Sequence, residues 1–576
     1  MKVKLAKTAG FCMGVRRALE MVFAESNKKK GPLFTLGPLI HNNQVLDLLR
    51  SKGVQSVEDS GGIEAGRIVI RAHGIPPDKR RALKKTGLTV IDATCPRVAR
   101  VQAIIRYHTR RGRTAVIVGE PEHAEVIGLM GYSEGPVHVI QSLDEVASLP
   151  HLDRPFVVAQ TTQNEQHFKA VVRALEKRSP DLLVFDTICD ATRQRQQEVR
   201  SLKGHVDAVV VVGGYHSGNT RRLAQVAEDV RLPVFHVETE KDLDKKALGE
   251  MDVIGVTAGA STPNWMIKNV VGEIAGIEGK WESFLARGFK KLLRLLVLSN
   301  LAVALGAFSF ALAAELLCRG SLTATFPLLA FLYVYGMHVM NRLLDRAASA
   351  YNDPERAAFL SRHRALFVIT GIAAIFAALA LAYGIGLPVF FTLAGLSLLG
   401  IVYGVPLIPE AYRRNYPYAK IKDIPGSRGL VEALGWTAVI AALPLLTMPV
   451  FPWKAAIITI LIVFLMSYFR SALFDLFQAQ GDLIVGIETL PVIIGEKKAL
   501  ALLKYILLGT GVILTAAPAV RFVGPFAYLL LAPLAGFALC LLAYERRRLY
   551  PGIGLEALVE SNFFLAGLMA LAWQAF

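Results

Sequence analysis

The sequence contains little cysteine and no closely spaced cysteine pair. Only five of the 576 residues are cysteine, and they lie far apart along the chain. A disulfide framework uses even sets of cysteines, and a structural zinc site usually shows two of them a few residues apart. The pattern therefore argues against both kinds of site, and the odd count is typical of a reducing compartment.

Long apolar segments are missing before about residue 285 and frequent after it. The first part alternates short apolar strands with charged amphipathic stretches, which predicts a soluble α/β domain over residues 1–280. From Leu292 onward, apolar segments of about twenty residues predict an all-α polytopic membrane domain over residues 281–576, with about nine transmembrane helices. We place these spans near 292–313, 322–340, 365–383, 387–408, 429–449, 453–473, 501–520, 525–543 and 557–576.

Basic residues are scarce in every second loop between the predicted spans. No apolar signal segment begins the sequence, so we expect the N-terminal domain to stay in the cytoplasm. The basic-rich loops would then also face the cytoplasm, as the positive-inside rule requires. These loops are 341–364, 409–428, 474–500 and 544–556. We therefore expect a multi-pass protein of the cytoplasmic membrane with the lipid bilayer as partner, and the net charge of +17 needs no nucleic acid to explain it.

Three cysteines occupy equivalent positions in three distant segments. Cys12, Cys95 and Cys189 each follow an apolar run and precede a helix-like stretch, in GFCMGV, VIDATCPRV and VFDTICDAT. The last two segments repeat one α/β unit, and the first is a diverged third copy. One thiolate from each of three lobes would suit a cubane [4Fe-4S] cluster whose fourth iron has no protein ligand. The alternative is three buried apolar residues, which is our expectation for Cys318 and Cys540 inside the spans.

Polar side chains follow several of the predicted strands. His41, His73 and His123 each come after an apolar strand, where imidazoles facing one cavity would suit a diphosphate. Glu125 is then a candidate proton donor, because a partly desolvated carboxyl group has a raised pKa. The alternative for Glu125 is a solvent-facing glutamate at a helix start. Small-residue loops that could bind phosphate oxygens follow other strands and contain Thr161, Ser217, Asn219 and Ser261.

The order of these motifs resembles one enzyme family over nearly all of residues 1–278. In chain order the motifs are GFCMGV, LGPLIHN, AHG, DATCPRV, HAEVIG, QTT, TICDATRQRQ, SGNTRRL and GVTAGASTP. This series is similar to that of the 4-hydroxy-3-methylbut-2-enyl diphosphate reductases of the non-mevalonate isoprenoid pathway.

The resemblance implies a three-lobed α/β fold around a [4Fe-4S] cluster held by the three cysteines. It implies reductive removal of the allylic hydroxyl group to give isopentenyl and dimethylallyl diphosphates, with a reduced ferredoxin or flavodoxin-type protein as electron donor. Glu125 would relay protons. The residues implied to bind the diphosphate are His41, His73, His123, Thr161, Ser217, Gly218, Asn219 and Ser261. Two positions depart from the family, since Ala124 replaces a common proline and Gly218 replaces a common serine.

Carboxylate and amide side chains cluster in two of the basic-rich loops of the membrane domain. Asn341, Asp345, Asp475 and Asp482 could hold Mg²⁺ against a prenyl diphosphate. The span pattern and the GDLIVGIETLPVIIG stretch resemble UbiA-type intramembrane prenyltransferases over about residues 288–576. The family has Asp at three positions where this chain has other residues, namely Arg342, Ser349 and Gln478. Two alternatives follow: Arg342 could contact the diphosphate directly as a charge substitute, or the site could be inactive.

Three functional hypotheses remain for the whole chain. The first is a bifunctional isoprenoid enzyme, whose membrane domain transfers a prenyl group to an aromatic or other acceptor. The second makes the membrane domain a noncatalytic anchor for the reductase. The third is an electron-transfer or transport protein, which would have no use for His41, His123 and Glu125 and would need more polar residues within its spans.

Overall fold

The computed structural model of the chain describes residues 1–28, 31–277, 284–344, 352–405, 420–485, 487–546, 549 and 551–575. Contacts divide the chain into two compact units, Met1–Glu282 and Ser283–Phe576. The predicted boundary between residues 280 and 281 lies outside the described residues and stays a prediction.

The first unit is built from short parallel strands and the helices that follow them. Its strands are β1 (Lys2–Leu5), β2 (Leu33–Leu36), β3 (Val54–Val57), β4 (Arg67–Ile70), β5 (Thr89–Asp92), β6 (Ala115–Val118), β7 (Val137–Ile140), β8 (Phe156–Ala159), β9 (Leu183–Phe185), β10 (Ala208–Val212), β11 (Val234–Val237) and β12 (Val253–Ala258). Its helices are α1 (Met13–Asn27), α2 (Asn43–Ser51), α3 (Pro77–Lys85), α4 (Pro96–Thr109), α5 (Ala124–Met130), α6 (Glu145–Ser148), α7 (Glu165–Arg178), α8 (Asp190–Ser201), α9 (Gly218–Asp229), α10 (Lys245–Gly249) and α11 (Asn264–Gly276), with one 3₁₀ turn at Glu240–Asp242.

The strands form three four-stranded sheets, one in each lobe. Their strand orders are β1-β12-β10-β11, β3-β2-β4-β5 and β7-β6-β8-β9, and every pairing is parallel. Central strands such as β6 (AVIV) and β10 (AVVVV) are buried along their whole length. Because helices cover both faces of a parallel sheet, its central strands are nearly continuous apolar runs. The predicted three-lobed α/β fold is confirmed.

Each sheet delivers functional residues from the same strand positions. An edge strand, β1, β5 or β9, runs into Cys12, Cys95 or Cys189. The two central strands of each sheet run into loops that contain the predicted polar residues. Since the carboxyl ends of parallel strands share one edge, each lobe presents one cysteine and two polar loops at the same edge.

The second unit is helical. Its helices are Phe284–Leu298, Leu301–Arg319, Thr325–Leu344, Pro354–Arg362, Arg364–Ile385, Leu387–Gly404, Ser427–Thr437, Trp453–Val485, Leu490–Ile494, Glu496–Ala519, Leu531–Glu545 and Ile553–Ala575. A π-turn and a 3₁₀ turn extend the helix at Ser427 to Thr447, and the 3₁₀ turn Pro525–Leu530 precedes the helix at Leu531.

Eight helical segments of the described chain are long and apolar enough to cross a membrane, against about nine predicted. The helix Thr325–Leu344, near the second predicted span, has 20 residues but is not one of the eight. The predicted start of the first span at residue 292 is wrong. Residue 292 lies inside the amphipathic helix Phe284–Leu298, and the span begins only at Leu301, after Asn300 adopts a left-handed conformation with φ of 64°.

Small residues allow close helix packing in the second unit. A Cβ atom on Gly567 would lie 2.6 Å from Ser309 Cβ, so the helices Leu301–Arg319 and Ile553–Ala575 approach closely at this point. Membrane helices commonly pack through such residues. Cys540 is buried in the core of the unit, while Cys318 is partly exposed.

Candidate functional site

The three cysteines line one cavity of about 100 Å³ in the first unit. Each of them is the N-cap residue of a helix, α1, α4 or α8. The Val15 amide donates to Cys12 Sγ at 3.5 Å, which puts the first turn of α1 against the thiol. Helix N-termini stabilise negative charge, so this arrangement suits an anionic group between the three cysteines.

The space around the thiols is compatible with a metal cluster. A Cβ atom on Gly14 would lie 2.6 Å from Cys95 Sγ and 4.0 Å from Cys12 Sγ, so only glycine leaves this space open. Burial raises the pKa of the Cys95 thiol, and nearby Cys12 and Cys189 add to the shift. Three mutually repelling thiolates need a cationic partner, which metal ions provide. The residues present therefore fit an iron–sulfur cluster.

Charged contacts join the cysteine-bearing helices of different lobes. Arg97 at the start of α4 pairs with Asp190 at the start of α8 at 2.5 Å. Arg17 of α1 donates to the Thr94 carbonyl at 3.1 Å, directly before Cys95. Both contacts lie close to the cysteines. Together they join the starts of α1, α4 and α8.

Helix α8 also binds the segment that leads to Cys12. Arg195 donates to the Gly10 carbonyl at 2.6 Å. The Glu198 carboxylate accepts from the amides of Lys7 and Thr8 at 2.6 and 2.8 Å. These bonds close the ring of contacts between the three lobes.

The three predicted histidines meet on one side of this cavity. Ring centroids of His41, His73 and His123 lie 5.2–5.8 Å apart, and their ligand nitrogens lie within 4.8 Å of one another. Burial lowers the pKa of all three, to about 4 for His123. Buried ring nitrogens of His41 and His73 have no hydrogen-bond partner. Since unpartnered buried polar atoms are costly, they point to a polar ligand in the cavity.

A backbone contact determines how His123 presents its ring. His123 Nδ1 accepts from the Glu125 amide at 3.1 Å and caps helix α5. A neutral imidazole that accepts at Nδ1 has its proton on Nε2. His123 therefore offers an N–H donor from its other ring nitrogen.

Glu125 lies deep at the start of α5, with 1% of its surface exposed. The Thr161 amide and hydroxyl donate to its two carboxylate oxygens at 2.7 and 2.9 Å. Burial raises the pKa of Glu125, although the bonds from Thr161 oppose the shift. The carboxyl group thus holds a proton at a higher pH than an exposed glutamate does, which suits a proton donor.

The remaining predicted residues line the same cavity at the start of α9 and after β12. Ser217 Oγ and Ser261 Oγ lie 3.3 Å apart, and the buried Nδ2 atom of Asn219 has no partner. The first amides of a helix are free to donate, so the start of α9 is suited to phosphate oxygens. A Cβ atom on Gly218 would have ordinary contacts only, at 3.6 Å from Glu120, so a serine would fit there.

Sequence reasoning missed several arginines that shape this site. Arg97 and Arg195 line the cavity as well as joining the lobes. Arg222 donates to Glu120 at 2.9 Å and contributes to the potential at both Glu125 and His123. The motifs TRQRQ and SGNTRRL contained Arg195 and Arg222, but nothing in the sequence shows which arginine faces inward.

A second cavity, of about 620 Å³, lies in the helical unit. All four loops predicted to face the cytoplasm, or the helix ends beside them, contribute to its lining. These contributions are Asn341, Asn352, Arg356, Lys422, Arg428, Asp475, Gln478 and Glu556. Described residues of the four segments therefore come together around one cavity. Apolar residues, among them leucines and aromatic residues, line much of the rest of the cavity.

The predicted magnesium ligands have different surroundings in this unit. Asn341 and Asp475 line the cavity. Asp482 instead accepts from Asn352 at 2.6 Å and lies 3.4 Å from Arg428. Asp345 lies outside the described residues, as does Ser349.

The first unit is thus a three-lobed α/β unit with one cavity that brings three cysteine thiols beside a set of polar side chains. The LytB protein family model matches residues 3–275, and the UbiA prenyltransferase family model matches residues 300–566. A 4-hydroxy-3-methylbut-2-enyl diphosphate reductase of Geobacter sulfurreducens is 43% identical over 280 residues, which cover 49% of this chain and 99% of the relative. Through its N-terminal half, the chain belongs to this reductase family.

Solved structures similar to each half exist. The E-1-hydroxy-2-methyl-but-2-enyl-4-diphosphate reductase from Plasmodium falciparum is 28% identical, with a TM-score of 0.46, and the match covers 49% of this chain and 93% of that one. A UbiA homolog from Archaeoglobus fulgidus bound to DMAPP and Mg²⁺ is 16% identical, with a TM-score of 0.32, and the match covers 48% of this chain and 98% of that one.

We expect diphosphate binding to take up protons. The three imidazoles are neutral at pH 7 because their pKa values lie below the ordinary 6.5, and a bound anion raises these values. Affinity should therefore weaken as pH rises from about 6 to 8. Calorimetry of inorganic pyrophosphate binding, in buffers of different ionisation enthalpy, measures the uptake.

Two variants check the origin of these protons. His123→Ala should weaken pyrophosphate binding by about tenfold and reduce the uptake, since a hydrogen bond to a charged group contributes about 1.5–3 kcal/mol. His151→Gln, an exposed control, should change neither quantity. Binding without proton uptake in the unmodified protein would contradict the role assigned to the histidines.

Proposed function

We propose that the first unit removes the allylic hydroxyl group of 4-hydroxy-3-methylbut-2-enyl diphosphate. The observation that carries this proposal is the single cavity in which three thiols, three neutral imidazoles and a buried carboxyl group meet. Two electrons and two protons enter, one C–O bond breaks, and the products are water and isopentenyl or dimethylallyl diphosphate. The names of similar relatives, which are 4-hydroxy-3-methylbut-2-enyl diphosphate reductases, support the same reaction.

The residues around the cavity divide the task between binding and proton transfer. A [4Fe-4S] cluster held by the three cysteines would supply the electrons and a Lewis-acidic iron. The histidines and the loop at the start of α9 bind the diphosphate and orient the hydroxyl group. Glu125 donates a proton to the leaving oxygen. Thr161 holds the Glu125 carboxyl group in place by donating one hydrogen bond to each of the two carboxyl oxygens.

A reduced ferredoxin or flavodoxin-type protein is the proposed electron donor. Both are one-electron carriers, and the reaction consumes two electrons, so the donor must deliver twice in each turnover. The apolar helices of the second unit make the chain a multi-pass membrane protein. We propose that the reductase faces the cytoplasm, where a soluble donor of this kind can reach it, because the basic loops favour that orientation.

Glu125→Gln tests the proton donor. The amide keeps the size and most hydrogen bonds but delivers no proton, so kcat should fall by about 10²-fold or more while substrate affinity stays within about tenfold. An anaerobic assay with reduced methyl viologen measures both quantities. Glu176→Gln, on the exposed face of α7, is the matched control and should keep the native rate. An unchanged kcat in Glu125→Gln would place the proton donor elsewhere.

For the second unit we propose prenyl transfer from a prenyl diphosphate to an aromatic or other acceptor. The UbiA family model and the large cavity with an apolar wall and a polar end support this activity. Mg²⁺ is the proposed cofactor, because carboxylate and diphosphate oxygens are the ligands it prefers. A noncatalytic anchor would need no cavity of this size at the polar end of its helices.

Asp475→Asn tests this activity. The change removes a carboxylate from the cavity, so prenyl transfer should be lost while the reductase rate stays native. Transfer is measured with labelled prenyl diphosphates and quinone or phenol acceptors in detergent or nanodiscs. Glu545→Gln removes a carboxylate that pairs with Lys504 and does not line the cavity, and it should leave transfer unchanged. Native transfer in Asp475→Asn would contradict the proposed magnesium site.

A further inference from the structure

Three arginines that line the cavity of about 620 Å³ in the helical unit have acidic partners. Arg470 pairs with Glu432 at 2.7 Å and with Glu560 at 2.6 Å. Both glutamates are therefore neutralised inside the helical unit, where an isolated charge is costly.

The other two arginines are paired in the same way. Arg356 pairs with Asp353 at 3.1 Å and with Glu556, and Arg428 lies 3.4 Å from Asp482. Most of the described acidic residues near the cavity are thus paired with a guanidinium group. They are poorly available to hold a metal ion.

Arg342 differs from these three. It lines the cavity, yet it makes no hydrogen bond or ion pair with any residue that the structure describes. Its planar guanidinium group can donate two parallel hydrogen bonds to an oxyanion. An unpaired arginine in a partly desolvated cavity attracts an anionic ligand.

Asp475 is an acidic residue on the same cavity that, like Arg342, lacks a partner among the described residues. Only 5% of its surface is exposed, and it has no hydrogen-bond or ion-pair partner among the described residues. A Cβ atom on Gly429 would lie 3.2 Å from its Oδ2 atom, so glycine leaves the carboxylate open on that side. Because Asp475 and Arg342 form no ion pair with each other, the described wall of the cavity presents an unpartnered guanidinium group and an unpartnered carboxyl group.

A ligand that satisfies both groups has an anionic part and a cationic part. A diphosphate with one divalent cation meets this requirement, since Asp475 binds the cation and Arg342 binds phosphate oxygens. With a single free carboxylate on the described wall, the cavity suits one cation. Leu396, Leu399 and Leu434 line its apolar part, which suits a hydrocarbon chain.

We propose that Arg342 binds the diphosphate group directly and that Asp475 holds a single divalent cation, so that the cavity takes a prenyl diphosphate with one metal ion. This inference rests on the prenyl-binding function proposed for the second unit. The positive charge of Arg342 would neutralise part of the diphosphate charge, a role that a second metal ion would otherwise have.

Binding of farnesyl thiodiphosphate, an unreactive analogue, to the detergent-purified full chain tests the proposal. Mn²⁺ replaces Mg²⁺, so that electron paramagnetic resonance counts the ions bound with each analogue. We expect one Mn²⁺ per analogue. Arg342→Gln should weaken analogue binding by about tenfold or more, because a charge-assisted hydrogen bond is lost. Arg342→Lys keeps the charge and should bind with intermediate affinity.

Arg362→Gln is the matched control, since Arg362 is exposed and does not line the cavity. It should bind the analogue with native affinity, and the thermal unfolding midpoint shows whether each variant is folded. Two Mn²⁺ per analogue, or native affinity in both folded Arg342 variants, would overturn the inference and leave prenyl transfer standing. If the unmodified chain binds no analogue with any cation, prenyl transfer itself is overturned.

Discussion

Three cysteines from three lobes must meet in one cavity, and the arrangement of the first unit depends on this requirement. Each lobe meets it in the same way, with an edge strand that runs into a cysteine and a helix that begins there. Contacts such as Arg97 with Asp190 and Arg195 with the Gly10 carbonyl join the lobes around the thiols. The polar residues then follow from the same geometry, because the central strands end at the same edge.

Both units leave polar groups without partners where a ligand is expected. In the first unit these groups include ring nitrogens of His41 and His73 and the amide of Asn219. On the described wall of the second unit's cavity, Arg342 and Asp475 have no partner, whereas Arg356, Arg428 and Arg470 pair with acidic residues. Because unpartnered buried polar groups are costly, several of them around one cavity indicate a ligand site. This argument holds for each unit by itself.

The sequence predicted the fold of the first unit, and the residues it singled out line one cavity, because strand ends are visible as apolar runs that stop at polar motifs. It could not predict contacts between lobes, since Arg97 and Asp190 are far apart in the chain and lie on ordinary helix starts. In the second unit, the pattern could not separate the helix Phe284–Leu298 from the first span, because the apolar end of this helix leads almost directly into the span. Asp482 resembled a metal ligand, and only the structure shows its contacts with Asn352 and Arg428.

The central claim is that one cluster binds where the three lobes meet. Iron and acid-labile sulfide, counted per chain after anaerobic purification, test it most directly. We predict about four of each for the unmodified chain and for Cys540→Ser, whose cysteine packs inside the second unit. Cys12→Ser, Cys95→Ser and Cys189→Ser should each lose most of both. A full complement of iron and sulfide in Cys95→Ser, with native reductase activity, would contradict the account.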